Sequence, residues 1–215
     1  MVDIEKIERR TIRSFYDDGL LEIALGAFLL FLGGWLYAQA AAPEGSGLGA
    51  ALSALFVLVI VSAGVVVGRV VRFLKQRITY PRTGYVAFKK KEPSPKRRAA
   101  AALAGGLIGA SLAVLYGLSP SARTALPAVN GLLFAVAVLL MANKVGVLRF
   151  HILAAASAVI GVGLTAAGAG DLRGVGLFYG LFGAAVVLSG LAALVVYLKR
   201  SPRPAPEAPE GPDAH

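Results

Sequence analysis

Six apolar stretches, each long or nearly long enough to cross a bilayer as a helix, constrain this chain more than any other feature. They cover residues 19–41, 48–71, 99–118, 124–142, 150–167 and 175–198. A hydrocarbon core needs about 20 helical residues to span it. Backbone cannot cross lipid as irregular coil, because every amide there needs a partner inside the segment. The runs are continuously apolar, without the alternation of a membrane β-strand, which excludes a barrel. The expected fold is therefore an all-α membrane protein of six transmembrane helices. The chain is 57% hydrophobic and 16% charged, against roughly 45–50% and about 25% for soluble domains. That excess of apolar surface has to face lipid.

Charge placement predicts the threading. Lys6, Arg9, Arg10 and Arg13 precede the first run. Arg69, Arg72, Lys75, Arg77, Arg82, Lys89, Lys90, Lys91, Lys96, Arg97 and Arg98 lie in or beside the second connection. Lys144 and Arg149 lie in the fourth, and Lys199, Arg200 and Arg203 begin the tail. The alternate connections hold only Arg123 and Arg173. Cytoplasmic loops retain Lys and Arg, so both termini and the large basic loop are expected inside. Tyr37-Ala38-Gln39-Ala40 carries an Ala-x-Ala pattern like a signal-peptidase site. However, the apolar run before it is too long, and Asp17 and Asp18 stand where a leader would be basic. The first helix is expected to be retained.

This gives an interfacial segment over 1–18, two spans over 19–71, a basic cytoplasmic loop over 72–98, four spans over 99–198 and a Pro-rich cytoplasmic tail over 199–215. In the first segment Ile4, Ile7, Thr11 and Phe15 recur at helical spacing opposite a charged face, the pattern of an amphipathic interfacial helix. In the loop, Ile78-Thr79-Tyr80-Pro81-Arg82-Thr83-Gly84-Tyr85-Val86-Ala87-Phe88 places β-favouring residues on both sides of a Pro and Gly turn. The expectation is a small β-hairpin with Arg82 at its tip. Tyr80, Tyr85 and Phe88 would rest against the interface. Lys89, Lys90, Lys91, Lys96, Arg97 and Arg98 follow it, near anionic headgroups.

Tyr16-Asp17-Asp18-Gly19-Leu20, together with Tyr80-Pro81-Arg82-Thr83-Gly84-Tyr85-Val86, resembles a group of small multi-span prokaryotic membrane proteins with no assigned activity. The resemblance implies a prokaryotic cytoplasmic membrane. It brings no catalytic or binding residues with it.

The chain has no cysteine and two histidines, His151 and His215. Disulfides, thiolate chemistry and multi-histidine metal sites are excluded, and no cofactor or metal is expected. Asp18 and Glu22 are the unusual charges, one turn apart at the mouth of the first span. A carboxylate at that depth is costly without a cation or water. Two readings follow: pairing with a nearby Lys or Arg, or a proton- or ion-linked role. Asn130, Ser53, Ser62, Ser111, Ser157, Thr165 and Ser189 are expected to bond helix carbonyls or neighbouring helices. His151 is expected to make an interfacial hydrogen bond. Small-residue stripes, Gly176, Gly180, Gly183 and Gly190 in the sixth run and Ala102, Gly106 and Ala110 in the third, suit helix packing within the chain or a homo-oligomer.

The functional expectation is a non-enzymatic polytopic membrane protein. Its basic face, through Tyr80, Arg82, Tyr85, Lys89, Lys90, Lys91, Lys96, Arg97 and Arg98, would contact anionic lipid or a protein partner, not nucleic acid. The alternative is a small transporter or channel with an acidic cytoplasmic gate at Glu22. An enzyme is disfavoured by the lack of paired nucleophile and base, metal cluster or phosphate loop.

Overall fold

A computed structural model describes residues 16–43, 45–83, 117 and 123–201. Its helices are α1 (Leu20–Ala41), α2 (Gly47–Ile78), the single turn α3 (Tyr80–Thr83), α4 (Leu126–Val145), α5 (Leu148–Ala166) and α6 (Asp171–Arg200). There is no strand among the described residues. Helices α1, α4, α5 and α6 are each long and apolar enough to cross a membrane. Helix α2 reaches that length only as a bent pair, Gly47–Ile60 and Val65–Ile78, which meet at 55°. Among the described residues the count is thus four, or five with α2, where six were expected of the whole chain. The predicted third run, 99–118, lies outside the described residues, as does the predicted amphipathic segment up to Phe15.

The interior is largely apolar, with Leu29, Phe178 and Phe182 in its main cluster, but so is the outer surface. Asp18, Glu22, Lys75, Asn130 and Ser157 are buried, while Val57, Leu140, Val159 and Leu188 are 66%, 67%, 70% and 66% exposed. Large aliphatic side chains face outward on all five long helices. Such a surface suits lipid surroundings.

Two helix pairs build the interior. In the first, α1 and α6 run antiparallel with their backbones in near contact. Gly19, Gly26 and Gly33 recur every seven residues, as do Gly176, Gly183 and Gly190. A methyl added at Gly26 would lie 2.7 Å from the Val187 amide nitrogen and 2.8 Å from the Gly183 carbonyl oxygen. One at Gly33 would lie 2.5 Å from the Gly180 nitrogen, and one at Gly190 2.8 Å from the Gly19 oxygen. A seven-residue repeat keeps one stripe of each helix on its partner along a shallow left-handed crossing. Of the small-residue stripe predicted on the sixth run, Gly176, Gly183 and Gly190 are therefore packed by the α1 segment of the same chain, while a methyl at Gly180 would meet nothing. Its Ala102–Gly106–Ala110 counterpart lies outside the described residues.

The second pair is the α4–α5 hairpin. Gly146 closes it in the left-handed conformation (φ 71°), where glycine meets no Cβ penalty. Gly131 and Gly161 touch backbone to backbone, and the Ser157 hydroxyl donates to the Gly131 carbonyl at 2.9 Å. The first amides of a helix lack intrahelical partners. Here Thr165 Oγ1 accepts from the Ala128 N–H at 3.0 Å. Asn130 donates to the Leu126 carbonyl at 2.9 Å and accepts from the Tyr179 hydroxyl at 3.0 Å. Phe134, Phe178, Tyr179 and Phe182 then join the hairpin to α6 through edge-to-face ring contacts and one stacked pair, Phe178 on Phe182.

Helix α2 differs from expectation at its middle and at its end. It bends where Ser62-Ala63-Gly64 falls, and Ser62 donates back to the Val59 carbonyl at 3.0 Å, a bond that deflects helices. It also runs on to Ile78, past the expected Val71, and there Lys75 and Thr79 find a partner in Asp18, just before α1. The expected hairpin is corrected on its described side. Ile78 closes α2, and Tyr80–Thr83 form a helical turn, not a strand. Pro81, read as a turn former, sits at the second position of that turn, where its missing N–H costs nothing. Gly84 to Phe88 lie outside the described residues.

The packing predicts a sharp contrast within one helix. Gly26→Ala should lower stability in detergent by about 1–3 kcal/mol, because its methyl meets backbone that cannot yield. Gly34→Ala, with nothing within 4 Å of the added carbon, should leave the unfolding midpoint unchanged or raise it slightly, because alanine suits a helix better than glycine. Chemical denaturation of the two variants checks this.

Candidate functional site: an ion-pair cluster at the basic end

The starts of α1 and α5, the ends of α2 and α4, and the last third of α6 gather at one end of the bundle. Gly19 turns the chain into α1 with φ 65°. This places Asp18 just before the helix, where its carboxylate accepts from the Leu20 N–H (Oδ1, 3.2 Å) and favours the positive helix start. Its other oxygen pairs with Lys75 Nζ at 2.9 Å and accepts from the Thr79 hydroxyl at 3.0 Å. Asp18 and Lys75 are both nearly sealed from solvent, with side chains 1% and 6% exposed.

Glu22 follows one turn into α1. Its Oε2 accepts from the Ser189 hydroxyl of α6 at 2.9 Å. Its Oε1 lies 2.8 Å from Arg149 Nη2 of α5, a charge contact whose angles fall outside hydrogen-bond geometry. The same nitrogen donates to the Tyr16 carbonyl, and the Tyr16 ring meets Phe150 edge-on at 5.8 Å. Burial pushes the Tyr16 phenol above its ordinary range. Two acids where α1 begins thus hold α2, α5 and α6. Above them, Arg82 of α3 donates to the carbonyl of Ser201, just past α6, at 3.0 Å, closing the ends of α2 and α6 together.

Of the residues singled out from sequence, Asp18 and Glu22 belong to one cluster, and each has a cation from another helix. Arg82 is half-buried against α6 rather than at a hairpin tip, and Tyr80 is half-buried beside it. Tyr85, Lys89, Lys90, Lys91, Lys96, Arg97 and Arg98 lie outside the described residues. His151 lies apart, its Nε2 3.2 Å from Asn143 Oδ1 across the α4–α5 turn. Ser53, Ser62 and Ser157 each bond a helix carbonyl, as expected. Sequence reasoning did not pick out Lys75, Arg149 or Thr79. Their only signal was position, at the basic ends of runs facing an acid, and many other cations share it. No group of three or more acids and histidines suited to a metal ion occurs among the described residues. Comparison with protein-family models, curated proteins and solved structures finds no match.

Removing one member of a buried ion pair strands the other charge. Glu22→Gln and Arg149→Gln should each lower stability by about 2 kcal/mol or more, at the low end for such pairs because the Arg149 side chain is 22% exposed. The double variant should be less destabilised than the sum, with a coupling of about 1–3 kcal/mol. Strict additivity in a denaturation cycle would show that the pair does not couple.

Proposed function

We propose that this chain is a non-enzymatic, multi-pass protein of a prokaryotic cytoplasmic membrane whose basic face binds anionic lipid headgroups. One observation carries the reading. At the end of the bundle where α2 and α6 finish, Arg69, Arg72, Arg77, Lys144, Lys199 and Arg200 are exposed, while the buried acids Asp18 and Glu22 are taken up by Lys75 and Arg149. Asp17 is the one exposed acid there among the described residues. That surface is open to phosphate, at about 1 kcal/mol for each cation near an anionic membrane. At the opposite end the described cations are Arg123 and Arg173. The asymmetry supports a cytoplasmic basic end.

Six crossings belong to the same reading. Arg82 of α3 bonds Ser201 at the end of α6, whereas Thr124 packs on Gly170 at its start. A 30-residue helix is about 45 Å long, so Thr83 and Arg123 lie near opposite ends of the bundle, which favours a further crossing between them. The run at 99–118 is its apolar stretch. With it the termini fall on one side.

Two experiments test this. The variant with Lys89, Lys90, Lys91, Lys96, Arg97 and Arg98 all replaced by Gln should retain less phosphatidylglycerol than the parent in native mass spectrometry. Equal retention rejects the lipid reading. For the threading, a cysteine at Ser46 should react with an impermeant maleimide on intact cells and one at Ser94 should not, against a background free of native thiols. The reverse pattern inverts the topology.

A further inference from the structure

The half of α2 beyond its bend carries a charge pattern ill suited to an upright spanning helix. Val65–Ile78 holds four cations, Arg69, Arg72, Lys75 and Arg77. Val71 and Lys75, one turn apart, are buried against the bundle, and Lys75 is held by Asp18. Arg69, Arg72 and Arg77 are exposed. So are Val65, Val66, Val70 and Phe73, which alternate with them. The Arg77 guanidinium sits 4.7 Å from the centre of the Phe73 ring, one turn away.

Exposed guanidinium groups among exposed valines fit neither bulk water nor hydrocarbon. A charge facing lipid tails is costly. Free in water, the apolar side chains would lose their burial. At the headgroup layer both are satisfied: the arginine stems lie along apolar surface while their heads reach phosphate. The 55° bend turns this half away from the line of Gly47–Ile60, as a segment slanting through that layer requires. Interleaved apolar residues favour a lipid over a nucleic acid, whose phosphate backbone is met by a continuous polar face.

We propose that Val65–Ile78 is a headgroup-binding arm, latched to the bundle by Asp18, which takes the phosphate of anionic phospholipid on Arg69, Arg72 and Arg77 with Phe73 as its apolar anchor. This rests on the basic end facing anionic lipid, and it assigns part of that contact to α2 itself, apart from the Lys89–Arg98 run.

The test uses the full chain in nanodiscs of phosphatidylcholine with phosphatidylglycerol. The triple variant Arg69→Gln, Arg72→Gln, Arg77→Gln should bind phosphatidylglycerol about tenfold or more weakly, with the downstream run intact. Separately, a fluorophore on Val66→Cys and one on Gln76→Cys should be quenched by spin-labelled lipids at depths differing by less than about 10 Å, since ten helical residues rise about 15 Å if upright. Unchanged affinity in the triple variant overturns the arm, and so does a larger depth difference. In either case the broader lipid reading stands if the six-residue Gln variant binds phosphatidylglycerol more weakly than the parent, and falls if it does not.

Discussion

The near contact of two backbones, α1 on α6, is the constraint from which the rest of the molecule follows. Inside a bilayer no hydrophobic force drives helices together, because lipid tails are as apolar as leucine. Association then depends on how closely two helices can pack, and glycine at every seventh position removes the side chains that would hold them apart. With Gly26 against Gly183 and Gly19 against Gly190, the register of α6 on α1 leaves little freedom. That register brings Ser189 beside Glu22. A shift of one residue would turn the glycine stripes out of contact.

Given that pair, the charges at its end become attachment points. Asp18, just before α1, and Glu22, in its first turn, reach in different directions, one to α2 and the other to α5 and α6. A buried ion pair adds little net stability once desolvation is counted, but leaving either partner alone is expensive. Such pairs specify arrangement more than they strengthen it. Lys75 and the partly buried Arg149 meet their acids where α1 begins, so the end of α2 and the start of α5 are located by charge where greasy, interchangeable surfaces would not locate them. The carboxylates that looked anomalous in a span are the fixed points for its neighbours.

How much of this was legible beforehand depended on whether the signal was local. The runs that became α1, α4, α5 and α6 could be read directly, since each is an unbroken apolar stretch bounded by Gly, Pro or charge. The pairing of Asp18 and Glu22 with cations was legible in kind. Its partners were not, because choosing Lys75 and Arg149 from so many cations requires the tertiary register. The seven-residue spacing of Gly19, Gly26 and Gly33 was present in the sequence, but its meaning appears only opposite the matching set on α6. The hairpin failed for a physical reason. Thr79 and Tyr80 have β-favouring side chains, and propensity of that kind yields to tertiary contact. Here the Thr79 hydroxyl bonds Asp18 and Lys75 pairs with it, so the helix that carries them is extended beyond its apolar part.

The same latch bears on α2. Near its start α2 is tied to α1 by the Gln39–Ser53 hydrogen bond, and near its end Asp18 takes both Lys75 and Thr79. Between these ties it bends by 55° across Ser62-Ala63-Gly64, where one hydroxyl is already bonded back into the helix. A serine bonded back to a carbonyl, with glycine close by, is where a helix yields at little cost. Beyond the bend the arginines leave the line of Gly47–Ile60, while Lys75 on the same half stays sealed against Asp18. One segment thus holds to the bundle by its buried cation and faces outward with its exposed ones.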